Sequence, residues 1–361
     1  MEPIKPVWVD YNKDLKKGNA GPAEVLYVHN EDNGLFRMSY RYKIGTWSDR
    51  KLSVAASYLQ FLGTDKKSAE DISKEFYKLA CSFSVTAGNE YTTLSLEGLQ
   101  ENFEKATALL EDLLANCKAD DEALTALKGR LAKSRSDAKN NKGAIMQGVV
   151  NYARFGAENP FNNVLSNDEL KNLTSAELVD LIYSLNKFSH RIIYYGPETL
   201  VALCTSMKAA HKMPEMFSPA PAPKVFNFTT QATNQVLFAD YDMVQSEIRW
   251  VRNIPGYDPA KQPALEMFNN YFGGNMGALV FQTIRESKAL AYSTNANVFT
   301  PDKKEDPYYI SAYVGCQADK FNESAKAMNE LLNDLPSVEN NLQAARSGLK
   351  KEIETDRITQ D

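Results

Sequence analysis

Residues 271–293, Tyr-Phe-Gly-Gly-Asn-Met-Gly-Ala-Leu-Val-Phe-Gln-Thr-Ile-Arg-Glu-Ser-Lys-Ala-Leu-Ala-Tyr-Ser, join a glycine-rich turn to an amphipathic helix that carries Arg285 and leads into Tyr292. Gly273, Gly274 and Gly277 let the backbone approach a neighbour closely, either a substrate or a packed helix. They do not make a phosphate loop, because no Gly-Lys-Ser/Thr follows and no buried strand precedes them. Helix packing is the expected use of Gly277, and both uses stay open for Gly273 and Gly274.

The same layout recurs in a degraded form upstream. Gly34–Ile44 alternates as a half-buried strand, and Ser53–Phe61 reads as a helix. After Gly63-Thr64, Ile72, Phe76 and Leu79 mark a second helix, followed by strands at 82–87 and 91–99 and a helix with the apolar face Phe103, Ala106, Leu110, Leu113 and Leu114. Downstream, Val236–Phe238, 247–252 and Tyr308–Cys316 read as strands, and 263–271, 278–287 and a stretch carrying Phe321, Met328, Leu331 and Leu332 as helices. Phe103, Leu110, Leu113 and Leu114 fall on Phe321, Met328, Leu331 and Leu332 at a separation of 218, while Gly98 and Gln100 meet Gly315 and Gln317 at 217, and Gly63 meets Gly273 at 210. A loop insertion at Phe299–Asp306 accounts for the change of offset. Between the copies, 122–139 and 176–185 read as helices, 191–195 as a strand, and the stretch from His211 to Lys224, with Pro214, Pro219, Pro221 and Pro223, as a stiff spacer.

The expected class is therefore α+β: two tandem repeats, each a mainly antiparallel sheet with helices packed on one face. The expected boundaries are an extension at 1–23, a first repeat at 24–212, a linker at 213–224 and an incomplete second repeat at 225–361. A chain of 361 residues is long enough for two cores.

Composition narrows the function by exclusion. A net charge of -5 with no long basic block leaves no footprint for nucleic acid or an anionic membrane. No apolar run approaches a membrane span, and the first residues lack the apolar core of a signal peptide, so the sequence carries no address for a compartment. Cys81, Cys117, Cys204 and Cys316 are scattered without metal-ligand spacing and read as buried apolar residues. His29 sits in a polar turn, His190 before a strand and His211 at a helix end; none pairs with another at i, i+4, and surface or capping roles are expected.

The string at 272–293 resembles the pitrilysin/insulinase family of zinc metallopeptidases, also called M16 or inverzincins, most specifically at Arg285-Glu286 and Leu290-Ala-Tyr-Ser293. The resemblance implies tandem LuxS/MPP-like domains. It also implies a catalytic helix bearing His-x-x-Glu-His, in which two histidines bind zinc and the glutamate activates water. The equivalent helix here, Ser53-Val-Ala-Ala-Ser-Tyr-Leu-Gln-Phe-Leu62, has neither His nor Glu. Where a third ligand belongs, Lys128-Gly-Arg-Leu-Ala-Lys-Ser-Arg-Ser-Asp137 is basic, and 263–271 offers only Glu266.

No cofactor or metal is therefore expected in this chain, and no catalytic residue. Its implied place is the zinc-free C-terminal half of such an enzyme, inactive alone, closing a peptide chamber and holding substrate through Arg285 and Tyr292, with Gly273 and Gly274 beside them. The implied partner is a zinc-bearing half, in the same polypeptide or as a subunit. Phe76 and Phe83 stand near the corresponding positions of the first copy, which is expected to be wall or scaffold. The alternative is a freestanding peptide-binding or scaffold protein on the same fold. Strand 308–316, rich in Tyr, is a candidate edge for peptide addition, although core packing explains its apolar positions equally well.

Overall fold

The computed structural model describes residues 5–356. Its first part runs β1 (Lys16–Ala20), β2 (Ala23–His29), β3 (Leu35–Tyr42), α1 (Leu52–Leu59), α2 (Ala69–Lys78), β4 (Cys81–Ala87), β5 (Thr92–Leu99), α3 (Phe103–Asn116), α4 (Asp121–Ala138), α5 (Lys142–Phe155), α6 (Asn167–Asn172), α7 (Ser175–Ser184), β6 (His190–Gly196) and α8 (Leu200–Ala210). The second runs β7 (Gln245–Ile254), α9 (Gln262–Phe272), a π-helical segment (Phe281–Ser287), β8 (Ala291–Phe299), β9 (Tyr308–Gln317), α10 (Phe321–Asn333) and α11 (Glu339–Thr355). Side chains start several of these helices. Ser68, Ser166 and Thr174 each accept the amide of the residue three along, whose carboxylate returns to the cap amide.

The first sheet has the order β1-β2-β6-β3-β5-β4, with only β2 and β6 parallel. The second is β7-β9-β8, wholly antiparallel. The fold is α+β, as the sequence leads one to expect. Strand β9 is the centre of its sheet and not an edge, so its apolar residues are explained by packing: Ala312, Val314 and Cys316 face a core shared with Phe272, Val280, Ile284 and Met328.

Element order recurs between the two parts. β5, a one-turn 3-10 helix and α3 match β9, a 3-10 turn and α10, each helix starting on its Phe, at a separation of 218. α4 and α11 follow at the same spacing. That separation also sets the strand phase, since inward Leu94 and Leu96 match inward Ala312 and Val314. The Gly98/Gly315 and Gln100/Gln317 coincidences at 217 are therefore out of step, because a one-residue slip turns a strand's other face to the core. β3-β5-β4 corresponds to β7-β9-β8.

Two features depart from the sequence reading. The first sheet begins at Lys16, inside the stretch read as an extension. Val236–Phe238, read as a strand, lies outside both sheets in an irregular stretch. Pairs of residues bind the two parts together: Lys142 to Glu247 at 2.7 Å, Asn253 Nδ2 to the Arg154 carbonyl at 2.9 Å, the Arg154 guanidinium 3.6 Å from the Tyr309 ring centre, and Lys303 to Glu90.

The histidines correct the sequence reading further. His190 and His211 are buried, and their Nε2 atoms lie 2.9 Å apart. The Phe188 carbonyl, 2.7 Å away, can only accept, so His190 Nδ1 carries the proton and its Nε2 receives that of His211. His211 Nδ1 sits 2.8 Å from Glu111 Oε1, which also accepts from the Tyr40 hydroxyl at 2.8 Å. Helical spacing could not reveal this pair, because the two residues come from different elements.

Burial above all pushes the His190 pKa down, to about 4, and the nearby His211 adds to this against the Phe188 hydrogen bond. As pH falls from about 6.5, the unfolded chain takes a proton that the folded chain refuses. Stability should therefore be full above pH ~6.5 and decline toward pH ~4, by on the order of 3 kcal/mol from this group. Urea midpoints measured across that window should show the decline, and His190→Gln, which cannot titrate, should flatten it.

Candidate functional site around Arg285 and Tyr292

α9 ends at Phe272 because Gly273 passes directly over β8. A Cβ on Gly273 would stand 2.3 Å from the Ala296 carbonyl oxygen, and Ala296 N donates to the Gly273 carbonyl at 3.3 Å. The need for glycine at 273 is thus met by packing. Gly274 is exposed, its amide bonded to the Asn269 carbonyl at 2.8 Å. Asn275 Oδ1 then accepts the Gly277 amide at 2.9 Å, and a Cβ on Gly277 would meet only that side chain, so helix packing does not explain Gly277.

The next helix buries Leu279, Val280 and Ile284 and widens to π geometry, with Lys288 N bonded to the Thr283 carbonyl at 3.1 Å. Ala289 closes it in the left-handed region at φ 49°, as Ala80 closes α2 at φ 48°. Such short π segments recur at functional sites. Between Ala291 and Ser293 the pairing with β9 slips: Ala291 faces Cys316 and Ser293 faces Gly315, which leaves Tyr292 as the extra residue of a bulge. A bulge re-aims its side chain, and Tyr292 is 78 % exposed.

Helix and bulge bring the two residues singled out by sequence to one place. The Arg285 guanidinium lies 5.4 Å from the Tyr292 ring centre and 4.8 Å from that of Phe281. Its Nε is 3.6 Å from Glu286 on an open surface, an ion pair of little strength. A guanidinium held over two rings keeps its N–H groups free for a carbonyl or carboxylate, and the phenol beside it offers one more donor.

The corresponding corner of the first part is built differently. α2 is a regular helix, β4 pairs with β5 without a bulge, and Phe76 packs on Phe83 with ring centres 5.0 Å apart. By strand pairing Phe83 matches Thr294, so Tyr292 has no counterpart there.

The helix that would carry metal ligands does not fit zinc. α1 reads Leu-Ser-Val-Ala-Ala-Ser-Tyr-Leu, and its Tyr58 hydroxyl is spent on the Asp120 carbonyl at 2.6 Å. On α4, Lys128 donates to the carbonyls of Lys171 and Leu173, and Arg130 lies 4.4 Å from the Phe61 ring centre. Glu266 accepts from Gln262 at 3.0 Å. Among the described residues no group of three or more His, Cys, Asp or Glu is placed to hold a metal ion. Cys81, Cys117 and Cys316 are buried and Cys204 half-buried, all as free thiols.

Comparison with known proteins agrees with this arrangement. Residues 57–168 match the family model described as insulinase, peptidase family M16, and residues 192–348 match the one described as peptidase M16 inactive domain. The chain is 22% identical over 301 residues to an uncharacterized zinc protease of Streptomyces coelicolor, covering 78% of this chain and 63% of that one. It is 22% identical over 299 residues to the uncharacterized zinc protease YmxG of Bacillus subtilis, covering 77% and 66%. It thus spans less than two thirds of these relatives' length.

Among solved structures, the peptidase M16 inactive domain from Pseudomonas fluorescens superposes with a TM-score of 0.72 at 18% identity, over 95% of this chain and 85% of that one. The periplasmic protease PqqL from Escherichia coli superposes with a TM-score of 0.76 at 14% identity, over 95% and 39%. The ferredoxin protease FusC, solved in complex with Arabidopsis ferredoxin, gives 0.72 at 14%, over 97% and 40%. With two models of one family matching its two parts and with the fold of solved members, the chain belongs to peptidase family M16, the insulinase family.

Proposed function

We propose that this chain is the zinc-free half of an M16 metallopeptidase, built as two tandem repeats joined through the proline-rich stretch, which closes a peptide chamber against a zinc-bearing half. The observation that carries the reading is the exposed Arg285 and Tyr292 pair, presented by a π-helical segment and a bulge and absent from the corresponding corner of the first part. It is supported by the lack of zinc ligands on α1 and by the match to the family's inactive domain.

In this role Arg285 donates to a backbone carbonyl or carboxylate of the bound peptide and fixes its position. The Tyr292 hydroxyl donates to the scissile carbonyl oxygen as negative charge builds there, an interaction that gains strength in the transition state. Gly273 sets the separation of α9 from β8, and Gly274 keeps bare backbone beside the peptide path. Hydrolysis itself belongs to the zinc-bearing half, so the chain alone is inactive.

Two measurements check this. The purified chain should carry no stoichiometric zinc by elemental analysis and show no peptide hydrolysis that a chelator abolishes; finding both would overturn the assignment. With the zinc-bearing half added, Arg285→Ala should lower peptide turnover by ~10²-fold or more. The melting temperature should shift little, because the side chain is at the surface and makes only a weak ion pair. Unchanged turnover removes Arg285 from the site.

A further inference from the structure

Strand β8 turns Thr294, Ala296 and Val298 into the second part's interior and Asn295 and Asn297 to the opposite face, where both are half-buried. Asparagine is disfavoured inside strands, yet here two stand on one face about 6.8 Å apart, the two-residue repeat of an extended chain. Among the described residues neither side-chain amide makes a hydrogen bond. Their partners on β9, Tyr313 and Ser311, do not take them up: Ser311 Oγ accepts from Arg249 Nη1 at 3.0 Å, and the Tyr313 hydroxyl lies over Gly315, beside Glu247.

The two amides continue the candidate site. Exposed Ser293 precedes them on the same face, and Tyr292 stands in the bulge before it. At the other end a Cβ on Gly274 would come 3.3 Å from Asn297 Oδ1, so the bare backbone of Gly274 leaves that amide open. In the first part, strand pairing puts Ser84 and Thr86 at these two positions, so the amides, like Tyr292, belong to the second part alone. The edge of β8 is closed to an added strand at this level. Asn269 Nδ2 donates to the Val298 carbonyl at 2.9 Å while its Oδ1 accepts the Val298 amide at 2.8 Å, and Ala296 N is taken by the Gly273 carbonyl. A peptide passing Tyr292 along β8 therefore lies over its face. Asn269 also shows what one carboxamide does for an extended residue, satisfying its N–H and its C=O together.

We propose, resting on the peptide-holding role given to this chain, that Asn295 and Asn297 are a second grip on the bound peptide, one that reads its backbone. Each carboxamide donates to the C=O and accepts from the N–H of one residue, and the two residues held are two apart, as the spacing along β8 requires. From Ser293 to Phe299 the strand carries no charged side chain, so the grip is indifferent to the charge of the peptide. The occupant is an extended segment of varied sequence. A helical segment is refused, because its N–H and C=O groups are already bonded to one another.

The test is binding of a terminally blocked, fluorescent decapeptide of Ala, Gly and Ser to the full chain, read by anisotropy, with the asparagine side-chain amides followed by NMR. The Asn295 and Asn297 signals should shift together as peptide is added, and the peptide of reversed sequence should bind equally well. Replacing both residues, Asn295→Ala with Asn297→Ala, should weaken binding by about tenfold or more while the melting temperature holds. The peptide N-methylated at every residue should lose as much affinity for the unsubstituted chain, an outcome that depends on no variant folding. Undiminished binding by the double variant or of the N-methylated peptide overturns the proposal, and so does failure of the unsubstituted chain to bind the decapeptide. Unchanged turnover in Arg285→Ala with the amide effects intact removes the role given to Arg285 and supports the grip; the reverse pattern overturns the grip alone.

Discussion

A strand's backbone must find partners on its edges, and this requirement organises the molecule. In the first part it is met around β3, whose buried Phe36, Met38, Tyr40 and Tyr42 lie in the middle of a six-stranded sheet with β6 and β5 on either hand. In the second, among the described residues, β7 is bonded on one side, to β9. Ile248 and Trp250, the residues of β7 in step with Met38 and Tyr40, are half-buried against the second core. The same sequence periodicity thus gives a sealed core in one part and a partly open one in the other.

The candidate site lies on the opposite edge of that second sheet. Strand β8 is held by β9 and pressed by Gly273, and only on this firm backing can a bulge expose Tyr292 without loosening its neighbours. Ile284, fully buried, fixes the rotation of the π-helical segment and so the direction of Arg285. In the first part no residue is bulged out at this corner, and Phe76 and Phe83 pack on one another instead.

Much of this was legible in the sequence. The helices at 103–116 and 321–333 followed from their apolar spacing, and Arg285 and Tyr292 were recognisable from the string around them. What escaped was set by long-range contact. β1 and β8 are short on apolar contrast and become strands through their partners. The His190 and His211 contact joins β6 to the end of α8, which no local spacing encodes. The opposite occurred at Val236–Phe238, where local preference is clear but the segment lies outside both sheets. Glycine and glutamine identities at 98 and 100 misled by one residue, because burial phase and not residue type sets strand correspondence.

The bulge at Tyr292 has a genetic meaning as well as a geometric one. Across the same two pairing steps β4 needs two residues, Cys81 and Ser82, where β8 uses three, Ala291 to Ser293. One codon therefore separates a strand that keeps its ladder from one that turns an aromatic hydroxyl outward. Either sheet could gain or shed this feature by a single in-frame insertion or deletion, leaving the core beneath it unaltered.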